Sequence, residues 1–422
     1  MTIPTSTYAN AHQQTLDARP ITECADQSIE TETDFNAERI DAETIKELES
    51  IGSDKWTRYP GCIGAFIAEM DYGVAPCIAK AIESAAERGA LGYIPDPWKK
   101  EVARSCAQWQ RRYDWPVDPS CIRPVPDVLE AFEFFLRAIV GPGNAVVVPT
   151  PAYMPFLSVP RLYGVKPIEI PMLCDGDTWN FDFGSIERAF AAGCHAFVLC
   201  NPHNPIGKVL SRDDMLRISE LADRYDVRIF SDEIHAPFVF GSCRHIPFAS
   251  INARTARQAF TSTSASKSFN IPGTKCAQVL LTNTDDLDLW MRDAQWSEHQ
   301  TATIGAIATT AAYDHGADWF EGALRYVQRN RDMVDQEMRT RFAKIGYVKP
   351  EGTYIAWLDF SPVNISDPAA YFLERANVAL TDGLECGAVG KGCVRMNFAM
   401  PYPLLRECFE RMAQALREDG LI

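Results

Sequence analysis

At 422 residues, with 46% hydrophobic and 23% charged residues, the chain has an ordinary globular composition and enough length for two domains sharing an interface. A formal net charge of -15 argues against nucleic-acid binding, which needs a basic face to displace counterions from phosphates. The 13 cysteines are scattered without a C-x-x-C pair, so neither a zinc site nor a redox motif is supported, and reduced thiols are expected.

Residues 1–34 are rich in Thr, Ser, Asp, Glu and Gln and read as a flexible acidic arm. They lack the basic start and apolar stretch of a signal peptide, and no later run approaches the ~18 apolar residues of a membrane span. A cytoplasmic protein without a membrane role is expected. From Phe35 onward, Ile40, Ile45, Leu48 and Ile51 recur at near-helical spacing. Short apolar or β-branched runs then read as strands: Ala145–Val148, Ala196–Cys200, Val227–Ser231, Gln258–Thr261 and Ala277–Leu281. Each is bounded by Pro, Asn, Asp or Ser, as strands buried on both faces should be. Between them Ser211, with Asp214 three residues on, opens a helix whose Ile218, Leu221, Ala222 and Tyr225 share a face. Strands alternating with helices predict an α/β domain with a mostly parallel sheet, its ligand at the carboxyl ends of the strands. A long helical region over 317–345 and extended pieces at 353–359, 378–381 and 393–398 then suggest a smaller α+β domain. The spans expected are 35–75 and 313–422 for that smaller domain and 76–312 for the large one.

Three segments stand out chemically. In Thr261-Ser-Thr-Ser-Ala-Ser-Lys-Ser-Phe-Asn-Ile-Pro-Gly273, a lysine follows a strand end rich in hydroxyls. A buried lysine is costly while charged, so it is neutralised, paired or used covalently; a surface lysine is the plainer alternative. Asn201-Pro-His-Asn-Pro-Ile-Gly207 has turn chemistry, yet doubled Asn-Pro before Gly is unusually particular for a mere loop. Ser231-Asp-Glu-Ile-His235 ends a strand with a carboxylate, suited either to a helix cap or to the side of a protonated ring nitrogen. Gly387-Ala-Val-Gly-Lys-Gly392 lacks the spacing and the Ser/Thr of a nucleotide loop, and no G-x-G-x-x-G follows an early strand.

In this order, the three segments resemble the fold-type I pyridoxal-phosphate enzymes of the aspartate-aminotransferase superfamily. The nearer likeness is to its cystathionine β-lyase-like branch of carbon–sulfur lyases. Phe66-Ile-Ala-Glu-Met-Asp71, Gly92-Tyr93, Pro151-Ala-Tyr153, Ser264-Ala-Ser-Lys-Ser-Phe-Asn270 and Gly352-Thr-Tyr-Ile-Ala-Trp357 share in it, and it runs from about Phe35 to the C-terminus. The resemblance implies a large domain binding pyridoxal 5'-phosphate, with a mostly parallel central sheet flanked by helices. A smaller α+β domain comes from the N- and C-terminal segments.

It further implies that Lys267 carries the cofactor as a Schiff base and acts as the base at Cα once released. Asp232 would pair with the ring nitrogen, Asn204 with the ring hydroxyl and His235 nearby, while Tyr153 stacks on the ring. For His235 a structural role weighs equally. The phosphate would be held by the amides of Val128 and Leu129, by Ser264 and Ser266, by Lys275, and by Tyr93 of a second subunit in a homodimer. Arg395 would bind the substrate carboxylate as a bidentate fork, with Tyr354 and Asp71 also at the substrate. Two departures bear on the phosphate: Asp127 where many relatives have Gly, expected to cap a helix, and Lys275 where many have Arg. A third, Ile206 for the commoner Thr, is expected to be mild.

The activity implied is β-elimination from an L-cysteine S-conjugate or L-cystathionine, giving a thiol, pyruvate and ammonia. An aminotransferase, a biosynthetic enzyme deaminating or decarboxylating an S-conjugate, and a regulatory protein on the same fold are the alternatives, and fold alone does not separate them.

Overall fold

The computed structural model describes residues 35–422, so the acidic arm expected at 1–34 lies outside the described residues. The stretch after Phe35 forms two short helices where its spacing predicts one. Helix α1 (Ala37–Ala42) is capped by the Asn36 side chain, and α2 (Ile45–Ile51) opens with a reciprocal Thr44–Glu47 capping box. Extended backbone at Glu43 and Thr44 separates them. Ile40 and Leu48 are buried as expected, but Ile51 is 70% exposed. The cap chemistry between the two helices outweighs the apolar period.

The large sheet comprises β1 (Ile122–Val125), β2 (Ala145–Thr150), β3 (Lys166–Pro171), β4 (Ala196–Cys200), β5 (Arg228–Asp232), β6 (Ala259–Thr263) and β7 (Ala277–Leu280). Their order across the sheet is β1-β7-β6-β5-β4-β2-β3. The five strands from β6 to β3 run parallel, and β7 is antiparallel to both of its neighbours. Every residue of β4 and β6 is buried, because helices cover both faces; β4 is apolar throughout, while β6 ends in the hydroxyls Thr261, Ser262 and Thr263. The two edge strands escaped the sequence pattern. β1 and β3 contain Pro124, Pro167 and Pro171, and one side of an edge strand needs no N–H for a neighbour.

Helix α3 (Val128–Phe134) follows β1, and α4 (Arg212–Arg224) lies between β4 and β5. The Ser211 hydroxyl caps α4 by accepting the Asp214 amide and donating to its carboxylate. The C-terminal third supplies α5 (Ala317–Thr340), then β8 (Gly346–Tyr347), β9 (Ile355–Asp359), β10 (Thr381–Asp382) and β11 (Cys393–Asn397), in the order β8-β9-β11-β10, and finally α6 (Tyr402–Glu418). The expected long helix therefore ends at Thr340, short of 345. Ile63–Gly64 pairs in parallel with Val378–Ala379, so the N-terminal segment joins the C-terminal elements, and one continuous apolar core spans residues from both.

Among the described residues the cysteines are free thiols, no group of three or more side chains is placed to hold a metal, and no helix is long and apolar enough to cross a membrane.

Candidate active site

Register builds the site. Cys200, Asp232 and Ser262 are aligned across β4, β5 and β6, so the segments 201–207, 233–235 and 264–267 leave the sheet side by side at its carboxyl edge. They wall a cavity of about 190 Å³ that Asp127, Val128, Leu129 and Tyr153 close from the side of α3. A larger, open groove of about 890 Å³ lies over Trp98, Arg104, Trp109 and His315. It contains none of the candidate site residues, most of which line the smaller cavity.

Lys267 projects into the cavity and donates from Nζ to the Ala68 carbonyl at 2.8 Å. Burial, with the positive charge of Arg395 next, lowers its amine from 10.5 to about 8. Asp232 also lines the cavity; its Oδ1 accepts the Ile234 amide at 3.1 Å and its Oδ2 the Cys200 thiol at 3.6 Å. Burial pushes this carboxyl up to about 6, because the cavity offers it no cation in hydrogen-bond contact. His235 is buried with no partner at Nδ1, and burial brings it down to about 3. It is a neutral imidazole at any physiological pH.

The phosphate side is an anion cradle. The amides of Val128 and Leu129 open α3 and have no acceptor within the helix. Asp127 does what its position demanded: its Oδ1 accepts the Glu130 amide at 2.9 Å, while Oδ2 pairs with Lys275 at 2.9 Å. The acid thus caps the helix, and Lys275 offsets its charge at the cavity wall. Ser264 donates to the Cys276 carbonyl at 2.9 Å and accepts the Ser266 amide at 3.0 Å. Its proton is committed to the turn, so Ser264 shapes the cradle more than it donates into it.

Arg395, only 4% exposed, arises from β11 opposite Trp357 and Thr381. It donates to the Phe66 carbonyl at 2.8 Å, to Thr381 Oγ1 at 3.4 Å and to Asn204 Oδ1 at 3.4 Å. Among the described residues no carboxylate pairs with it. A buried guanidinium held only by neutral oxygens is one charge short of balance, and an incoming carboxylate would supply it.

Three expected residues stand elsewhere. Asp71 does not reach the cavity: Lys55 at 2.7 Å and Trp56 Nε1 at 2.8 Å occupy its two oxygens. This geometry speaks against the substrate-binding expectation, since the Asp71 carboxylate is turned into a buried ion pair with Lys55 and not toward the cavity. Tyr354 is buried, and its hydroxyl proton goes to the Ala68 carbonyl at 3.0 Å, so it meets the site through the backbone. Tyr93 is 83% exposed and packs on His299 at 4.8 Å, away from the cavity of its own chain. Sequence reasoning missed the Ala68 carbonyl and Asn397. A carbonyl leaves no trace in a sequence, but Asn397 lies two residues from Arg395 on one face of β11, a period-2 signal that could have found it.

The residues fit pyridoxal phosphate: an amine of lowered basicity, a carboxylate lacking a cation, an unpartnered imidazole nitrogen and a free helix N-terminus face one space. The sequence pattern of aminotransferase classes I and II matches residues 63–412. A cystathionine β-lyase of Corynebacterium glutamicum is 33% identical, covering 88% of this chain and 99% of that one. The crystal structure of a PLP-dependent β-cystathionase from Corynebacterium diphtheriae superimposes with a TM-score of 0.84 at 33% identity, covering 89% and 98% of the two chains. Cystalysin from Treponema denticola, whose crystal structure contains pyridoxal 5'-phosphate, gives a TM-score of 0.83 at 26% identity, covering 88% and 97%. The chain belongs to the aminotransferase class I and II family, in the branch of the cystathionine β-lyases.

Proposed function

We propose that the chain is a PLP-dependent carbon–sulfur β-lyase that cleaves an L-cysteine S-conjugate or L-cystathionine. The observation that carries this reading is the convergence of Lys267 and Asp232 on one cavity, with the buried Arg395 bonded to Asn204 of its wall, in a chain whose relatives at 33% identity are named for that activity. Bound pyridoxal phosphate supplies an electron sink for the pair released when a bond at Cα breaks.

The chain's residues supply the rest. The amides of Val128 and Leu129 anchor the phosphate, with Lys275 beside them. Asp232 would hold the ring nitrogen, keep a proton there and gain the cation its buried carboxylate lacks. Asn204 and neutral His235 would hold the ring hydroxyl, and Tyr153 would cover one face of the ring. Arg395 binds the substrate carboxylate, which leaves the Cα–H bond turned toward the Lys267 amine. Lys267, about half unprotonated at pH 8, takes that proton. The β-thiolate then departs, and the three-carbon remainder hydrolyses to pyruvate and ammonia.

A homodimer completes this reading. Tyr93 is exposed on its own chain and would reach the phosphate of a second copy. Abundant free thiols suit a reducing cytoplasm. Purified protein given S-substituted cysteines should release pyruvate and thiol in equal amounts. Ketoacid formed only when an acceptor is added would assign the chain to transamination instead, and a bound cofactor without turnover would indicate a regulatory role.

A further inference from the structure

We infer that Tyr354 is a positioning residue for Lys267, acting through the Ala68 carbonyl, and that Phe66–Met70 forms the dock on which the lysine amine rests whenever it is not covalently engaged. This rests on the reading of Lys267 as the base at Cα. The Ala68 oxygen accepts two hydrogen bonds, from Lys267 Nζ at 2.8 Å and from the Tyr354 hydroxyl at 3.0 Å. A carbonyl has two lone pairs, so the tyrosine occupies one and leaves the amine a single direction of approach.

The carbonyl is itself immobilised. Phe66 O is held by Arg395 and Thr381 at 2.8 and 2.7 Å, Ile67 O and Glu69 O by Asn397 at 2.7 and 2.6 Å, and the Met70 amide by Asn270 at 2.9 Å. The Tyr354 ring is wedged edge-on against Phe238 at 4.9 Å. The hydroxyl therefore has a fixed donor direction, and the segment it meets is tied down on both sides.

This dock suits proton transfer. As Lys267 takes the Cα proton it becomes an ammonium with three N–H donors. One N–H stays on Ala68 O, in a bond strengthened by the new charge, and the others remain free to return the proton. Nothing in this role requires Tyr354 to touch substrate, and its hydroxyl proton is already committed.

Tyr354→Phe removes the hydroxyl and keeps the ring. Expected are a fall in kcat of about tenfold with KM within about twofold, as for loss of one hydrogen bond made on the reaction path, and a larger primary isotope effect with Cα-deuterated substrate. A second readout needs no turnover. Apoprotein should capture pyridoxal phosphate more slowly, followed by the visible absorbance that forms as amine and aldehyde condense. Calorimetric affinity for pyridoxine phosphate, which has no aldehyde, should be unchanged. Loss of pyridoxine phosphate affinity in parallel with kcat, or wild-type kcat and capture, overturns the inference.

Should that variant fail to fold, Asn270→Gly releases the Met70 amide. Glycine keeps the left-handed backbone found there at φ 57°. It should show the same pattern in milder form, and wild-type behaviour would count against the dock. Lys267→Ala separates the two levels: if it still turns over, the proposed function is wrong, and if it is dead while Tyr354→Phe is normal, only the dock is.

Discussion

A lysine amine in water keeps its proton to about pH 10.4, so at pH 7.5 roughly one in a thousand is free to act as nucleophile or base. At about 8, Lys267 has roughly a quarter of its population free at the same pH. Capture of pyridoxal phosphate by apoprotein should therefore accelerate with rising pH and level off above about 8. A stopped-flow pH series checks this, and a plateau only above pH 10 would mean that burial does not act on the amine as described. Because its folded value is depressed, Lys267 also contributes stability to the apoprotein that is present above its unfolded value and lost as pH falls through about 8.

Asp232 works the other way. Its folded value is raised from 3.8 to about 6, so its contribution is present below the unfolded value and lost as pH rises through 6. The loss is at most about 3 kcal/mol, and a protonated ring nitrogen across from it would restore it. Asp232→Asn should consequently lower kcat about 10²- to 10³-fold, as loss of a preorganised charge does, while raising the melting temperature of the apoprotein at pH 7. Activity and apo-stability moving in opposite directions is the signature to seek; a variant that loses both would show the carboxylate to be structural. Lys267 and Asp232 stood out in the sequence because each sits in a short segment whose neighbours constrain it, whereas Arg395 was named only through the family resemblance. Asp71 came from a segment of the same kind, yet it lies in a buried ion pair outside the cavity. Its partner Lys55 lies 16 residues upstream, and nothing local reveals that pairing.

At the scale of elements, the central strands were readable because burial on both faces fills them with apolar and β-branched residues, whereas the edge strands β1 and β3 carry proline and charge that break the pattern. The short α1–α2 break was hidden by an apolar period that runs across two sets of caps. Close approaches between elements are equally silent in a sequence. Gly305 lies in the helix Thr303–His315, and a Cβ there would sit 2.1 Å from the Thr274 carbonyl, in the turn that presents Lys275. Gly305→Ala must push the helix from that turn, at a cost of about 1–3 kcal/mol, with a lower melting temperature and weaker cofactor retention. Gly273→Ala, one residue before Thr274, meets nothing within 4 Å and should leave both unchanged. Equal effects of the two would show that the close packing of helix on turn is not what matters.

At the scale of the whole molecule, the aromatic group Tyr93–His299–Trp296 raises the question of what covers it. Tyr93 and Trp296 are 83% and 70% exposed, with His299 between them at 4.8 and 5.2 Å. Exposed large aromatics held in order by a neighbour suit a contact surface better than solvent. If a second copy lies there, each site takes Lys267 from one chain and Tyr93 from the other. Tyr93→Ala and Lys267→Ala would then damage different halves of the same site. A mixed dimer of the two variants has one site lacking both groups and one site lacking neither. Random mixing makes half of the dimers mixed, so about a quarter of wild-type activity should return at limiting cofactor, from parents that are weak and dead respectively. Tyrosine acting within its own chain would give no more than the average of the two parents, because no exchange of subunits could then bring an intact lysine and an intact tyrosine together.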